Sequence, residues 1–167
     1  MKIIVAVLFL ITTIIASTTP FPTITSKTLT KSTITLPLQN TNQLLILGLD
    51  MKSAEPMEQW VRKLNLATTD TIEWYQIPVI GGVPPLVDGI IQKNMKKSVP
   101  SIIHNRFLPY FGDTDPIYKA LSPTPITDKV TPFLVIIDTN QTISFNIQAV
   151  ATTENVSKEL ETIELFK

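Results

Sequence analysis

Few residues of this chain are equipped to do chemistry. There is one histidine and no cysteine. His104 sits in Ile102-Ile103-His104-Asn105-Arg106-Phe107, and Asp113 or Asp115 would have to orient it if it served as a general base; a surface or capping role near a helix end is the simpler reading. With no second histidine or cysteine to share a metal, zinc is not expected there. Asp113-Thr114-Asp115 has carboxylates for a hard cation but lacks the ligand spacing and glycine of a calcium loop, and a turn leading into Pro116 accounts for it. Lys52-Ser53 pairs an amine with a hydroxyl ahead of a helical pattern; the simpler reading is that Ser53 caps the helix and Lys52 is solvated. Gly81-Gly82 has no phosphate-binding lysine and reads as a turn. Trp60, Trp74, Tyr75 and Phe107 read as core rather than as a ligand cleft. No cofactor is assigned.

The elements that would position these residues are set by periodicity. Leu44 to Leu49 is a continuous apolar run, the pattern of a strand covered on both faces. Met57, Trp60, Val61 and Leu64 recur at helical spacing, with Pro56 tolerated in the first turn. Thr71 to Ile80 is a second strand. Leu86, Val87, Ile90, Ile91 and Met95 form the apolar face of a longer helix, ended or kinked by Pro100, with Lys93, Lys96 and Lys97 on its wet side. A short helix is expected over Asp115 to Leu121. Phe133 to Asp138 and Thr142 to Val150 flank Thr139-Asn140-Gln141 as an antiparallel hairpin. Thr153 is the expected cap of a last helix whose buried stripe is Val156, Leu160, Ile163 and Phe166.

Before these elements, Met1-Lys2 and the apolar run from Ile3 to Ile15 have the form of a secretory signal, cut after Ala16 or Ser17. The run covers about 15 residues, short of the roughly 20 that span a bilayer, so an uncleaved membrane tether is the alternative and a stable span after cleavage is not expected. Lipid attachment at a bacterial signal site needs a cysteine thiol, which is missing. Export of a cysteine-free chain means that stability rests on burial rather than on disulfides. Residues 1–17 are thus read as signal, 18–26 as an extended lead-in and 27–167 as one domain, with the Thr and Leu or Ile alternation of Lys27 to Leu36 opening it as a strand or hairpin. Fourteen basic residues balance fourteen acidic ones, and no footprint for nucleic acid appears. Asn140-Gln141-Thr142 and Asn155-Val156-Ser157 match the glycan acceptor pattern, relevant in a eukaryotic host.

The order strand, helix, strand, helix, strand, strand, helix, with Thr131-Pro132 leading into the last hairpin, resembles the thioredoxin-like superfamily, in its peroxiredoxin-type and exported thioredoxin-type forms, over about residues 27 to 165. The resemblance implies a three-layer α/β/α sandwich with a mixed central sheet and an N-terminal strand extension. It also implies a cis peptide at Thr131-Pro132 beside the first helix. Ala149 to Leu160 is more weakly similar to the mitochondrial ATP synthase assembly factors that carry this fold. Family members place their reactive cysteines in the loop after the first core strand; here that loop is Asp50-Met51-Lys52-Ser53-Ala54. A serine hydroxyl starts far too high in pKa for a helix N-terminus alone to make it a nucleophile. Disulfide exchange and peroxide reduction by cysteine are therefore excluded. The resemblance implies that Lys52, Ser53, Thr131 and Pro132 form a shallow surface of the kind relatives use to hold peptides or thiol compounds. The leading expectation is an exported, redox-inactive domain that binds or assembles another protein. An enzyme with a non-thiol site around Ser53 and Lys52 or around His104, or an envelope or secreted structural protein, are the alternatives.

Overall fold

The computed structural model describes residues 19–68 and 72–164. The expected signal segment, Thr71 and Phe166 lie outside the described residues. Five strands form a mixed sheet in the order β1-β7-β6-β4-β5: β1 (Thr19–Pro20), β7 (Thr142–Gln148), β6 (Phe133–Ile137), β4 (Gln43–Gly48) and β5 (Glu73–Pro78). β4 runs parallel to β5 and antiparallel to β6. The continuous apolar run does form an interior strand, β4, paired on both edges, and all six residues of that strand are buried. This mixed α/β arrangement is the expected fold class.

One face of the sheet carries Leu44, Ile46, Trp74, Leu134 and Ile136 and packs against two helices, α1 (Ala54–Lys63) and α4 (Thr153–Glu164). Met57, Trp60 and Val61 supply the α1 stripe, followed by Leu64 just past its end; each such side chain contributes roughly 1.5–3 kcal/mol on burial. Trp60 Nε1 donates to the Ala149 carbonyl at 2.9 Å, and Lys63 Nζ to that of Ala151, fastening α1 to the linker between β7 and α4. On α4, Val156 and Ile163 face the core, whereas Leu160, expected in the buried stripe, is 41% exposed. Its cap also shifts by one residue: the Thr152 hydroxyl, rather than that of Thr153, accepts from the Asn155 N–H at 3.2 Å.

The other face carries Leu45, Leu47, Tyr75, Ile77, Phe133, Val135 and Ile137. It is covered by α3 (Asp115–Leu121), through Ile117 and Leu121, and by the hairpin of β2 (Ile24–Lys27) and β3 (Thr33–Leu36), through Ile24 and Leu36. The boundary expected at residue 26 therefore falls inside a strand. Residues 19–26 belong to the folded unit, because β1 pairs with β7 and Phe21 and Ile24 enter the core. The N-terminal strand extension is thus longer than the Thr–Leu alternation indicated.

One long helix stands apart. α2 (Pro85–Ser98) contributes none of its residues 86–98 to either core cluster. Leu86, Val87 and Ile90, the expected apolar face, are exposed, and Ile91 and Met95 are half-buried.

Candidate functional site

Three loops meet at one end of the sheet. β4 and β5 are parallel, so the segments that leave them, beginning at Leu49 and Val79, emerge together; β6 is antiparallel and is entered from that same end through Asp128 to Pro132. Gly48, the last residue of β4, lets them close up. A Cβ at Gly48 would come within 2.2 Å of Met57 Sδ and 2.8 Å of Ser53 Cβ. The lack of a side chain there is what allows the start of α1 to lie against the strand end.

Beyond Gly48 the chain makes a 3-10 turn over Met51–Ser53 before α1 begins. Asp50 caps it: its carboxylate accepts from the Lys52 N–H at 2.8 Å, and the Ser53 hydroxyl accepts from the Asp50 N–H at 3.3 Å. At this start the Lys52 N–H is thus engaged by the Asp50 carboxylate, and the Ser53 N–H by the Asp50 carbonyl at 3.0 Å. Ser53 occupies the N-cap position of α1, but its side chain makes no capping bond to that helix. It is fully buried and its hydroxyl donates instead to the Lys129 carbonyl at 2.9 Å.

The loop on the other side of that bond is closed on itself. Asp128 Oδ1 accepts from the N–H groups of Val130 and Thr131 at 2.9 and 3.1 Å. These bonds hold the Asp128 carboxyl below the usual carboxylate range, the side-chain interaction with Thr131 first among them. Gln148 Nε2 donates to the carbonyls of Asp128 and Thr131 at 2.5 and 3.1 Å, and the Ala149 N–H donates to that of Pro132 at 3.2 Å. Lys129 Nζ lies 5.5 Å from the centroid of the Tyr118 ring, a cation–π contact that fixes the loop to α3. The Thr131–Pro132 peptide is trans, contrary to the expectation drawn from the resemblance; the cis bond among the described residues is Leu36–Pro37.

Of the four expected surface residues, the structure brings all four to this end but divides them. Lys52 is exposed and Thr131 half-buried, while Ser53 and Pro132 are buried and unavailable to a ligand. In their place the surface gains Met51, 92% exposed, and Val130, 39% exposed. Sequence reasoning missed both, although an apolar residue beside a cap or an Asx turn is a readable signal. Gly48 and the Asp128 turn were missed as well.

His104 belongs elsewhere. It is buried next to the 3-10 turn Ser101–Ile103, its Nε2 lies 2.9 Å from the Val99 carbonyl, and its own carbonyl accepts from the Leu29 N–H at 3.1 Å. The histidine is buried rather than on the surface, and Asp113, one of its two conceivable partners, is taken up by the turn before α3, where it accepts from the N–H of the other, Asp115, at 3.1 Å. Of the two glycan acceptor candidates, Asn140 is exposed in the β6–β7 turn, whereas Asn155 Nδ2 donates to the Val150 carbonyl at 2.9 Å.

With no family profile and no curated protein matching the sequence, the comparison rests on solved structures. The exposed lipoprotein thioredoxin Etrx1 of Streptococcus pneumoniae superposes with a TM-score of 0.57 at 8% identity, over 84% of this chain and 99% of its own. BsSco, a member of the Sco family of cytochrome c oxidase assembly proteins, gives 0.57 at 12% identity, over 90% of this chain and 96% of its own. A thiol:disulfide interchange protein of the DsbE type from Chlorobium tepidum gives 0.56 at 12% identity, covering 89% and 95% respectively. The chain has the thioredoxin-like fold. It has that fold without cysteine, so the thiol chemistry named for such neighbours has no thiol to carry it here. The short likeness of Ala149 to Leu160 to ATP synthase assembly factors gains no support from these structures.

Proposed function

We propose that this chain is an exported, redox-inactive thioredoxin-like domain that binds or assembles another protein through Met51, Lys52, Val130 and Thr131. The observation that carries the reading is the fate of the loop end: Ser53, at the start of the first helix, is buried with its proton directed at Lys129 O, while Met51 beside it is 92% exposed. A nucleophile needs access and a base; Ser53 has neither, because its hydroxyl donates to a backbone carbonyl and the lone histidine lies by Val99. A contact surface needs exposed apolar area on a fixed support, which Met51 and Val130 supply on two loops tied together by Ser53. An assembly role on this fold has a counterpart in BsSco, whose family is one of cytochrome c oxidase assembly proteins. Export is supported by the sequence pattern of Met1 to Ser17.

The test compares the wild-type chain with a Met51→Ser, Lys52→Glu, Val130→Ser variant, each purified from its native host after crosslinking. The proposal expects one stoichiometric protein with wild type and its loss from the variant, with the same thermal midpoint for both chains. Equal recovery from both would remove this surface from the interaction, and recovery of none would remove the binding-module reading.

A further inference from the structure

Helix α2 presents one face to the body of the protein and one to solvent. Asp88 and Gln92 line a cleft together with Thr25, Ser26 and Lys27 of the β2–β3 hairpin and with Tyr110. Residues at i, i+4, i+7 and i+11 share a helix face, which puts Leu86, Ile90, Lys93 and Lys97 in one stripe on the opposite side. Leu86 is 89% and Ile90 61% exposed; Val87, Lys93, Lys96 and Lys97 are exposed as well. The outward face is therefore aliphatic in its first two turns and basic in its last two. None of the three lysines takes part in the ion pairs formed among the described residues, which join Arg62 to Glu55 and Glu58, and Arg106 to Glu73.

The residue types choose between two occupants of such a face. Protein interfaces are depleted in Lys, and three neighbouring lysines outside the ion pairs formed among the described residues disfavour one here. Helices that lie in the membrane interface combine aliphatic residues with lysines that reach lipid phosphates. Here the exposed face sets Leu, Val and Ile beside three lysines, a charge complement to anionic lipid headgroups. These residues lie outside both core clusters and are free to enter a soft surface. The chain as a whole is neutral, so a negatively charged bilayer would be met by this local cluster rather than by net charge. We propose that α2 docks on anionic phospholipid membranes, burying Leu86, Val87 and Ile90 at the headgroup boundary while Lys93, Lys96 and Lys97 bind lipid phosphates.

Because the chain has no cysteine, a single one can be placed at will. Full-length chain carrying Ile90→Cys, labelled with an environment-sensitive dye, is titrated with vesicles of equal parts phosphatidylglycerol and phosphatidylcholine, and with pure phosphatidylcholine. Lys119→Cys on α3, labelled alike, is the control. The expected result is a blue shift at position 90 on the anionic vesicles and none at position 119. Adding Lys93→Gln, Lys96→Gln and Lys97→Gln should weaken the partition reported by the dye roughly 100-fold. An unshifted dye at position 90 while the chain sediments with vesicles would mean that the apolar N-terminal segment alone does the binding, and would overturn the proposal. So would a shift of equal size on neutral vesicles that survives the lysine substitutions.

Discussion

The Ser53 hydroxyl donates to the Lys129 carbonyl at 2.9 Å, joining the start of α1 to the loop that enters β6 across 76 residues of sequence. The bond is buried on the Ser53 side, and the same hydroxyl accepts from the Asp50 N–H. One side chain thus holds the two loops whose exposed tips, Met51 and Val130, form the proposed contact surface. Removing the oxygen leaves a donor and an acceptor without their partner in a place water reaches poorly. Ser53→Ala should destabilise the fold by about 1–3 kcal/mol, measured by chemical denaturation. A change near zero would show that the tie does not hold the loops.

Gly48→Ala probes the support beneath that tie. The added Cβ would overlap Met57 Sδ and crowd Ser53 Cβ, and although the methionine end can swing away, the serine Cβ is fixed by its backbone. Overpacking of this kind costs about 1–3 kcal/mol. The variant should lose that much stability by denaturation and should also lose protection of the Ser53 and Lys129 region in hydrogen exchange. Full retention of both would contradict the close approach.

Acid should loosen the loop at Asp128 and the turn at Asp138. The Asp138 carboxyl is pushed up by partial desolvation, but bonds from Thr142 and Asn140 outweigh this and leave it below the usual range, as Asp128 also is. For a carboxylate held below its unfolded pKa, the stabilisation is complete above the unfolded value and is lost as pH falls through the folded one. The thermal midpoint of the wild type should therefore be level from neutral pH down to the ordinary aspartate range and fall beneath it. An Asp128→Ala, Asp138→Ala variant should start lower at neutral pH and converge on the wild type in acid. Parallel curves with a constant gap would refute the assignment.

How much of this was legible in the sequence follows from what each pattern depends on. Leu44 to Leu49 and the Met57–Trp60–Val61–Leu64 stripe were readable because burial on both faces of a strand and on one face of a helix leaves a direct apolar signature. The α3 bounds were readable from Asp115-Pro116 and the break after Leu121. The α2 stripe misled in its expected role, since periodicity shows that a helix is amphipathic but not whether the protein itself covers it. Phe21 and Ile24 were hidden in a Thr- and Pro-rich stretch because a two-residue strand and a short hairpin carry almost no period. At the site, Lys52, Ser53, Thr131 and Pro132 were named through the resemblance, but the bonds that tie Ser53 to the Lys129 carbonyl and Gln148 to that of Thr131 join residues far apart along the chain. Such long-range bonds leave no local trace. The trans Thr131–Pro132 peptide, likewise, departs from the resemblance in a way that no local pattern announces.

The central claim is that the loop end carrying Met51 and Lys52 is a protein-binding surface, and a photoreactive amino acid placed at position 52 in the native host tests it most directly. A matching substitution at Lys119 on α3 serves as control. The account predicts a single crosslinked partner at a fixed mass from position 52 and none from position 119. The same bands from both positions, or none from position 52, would contradict it.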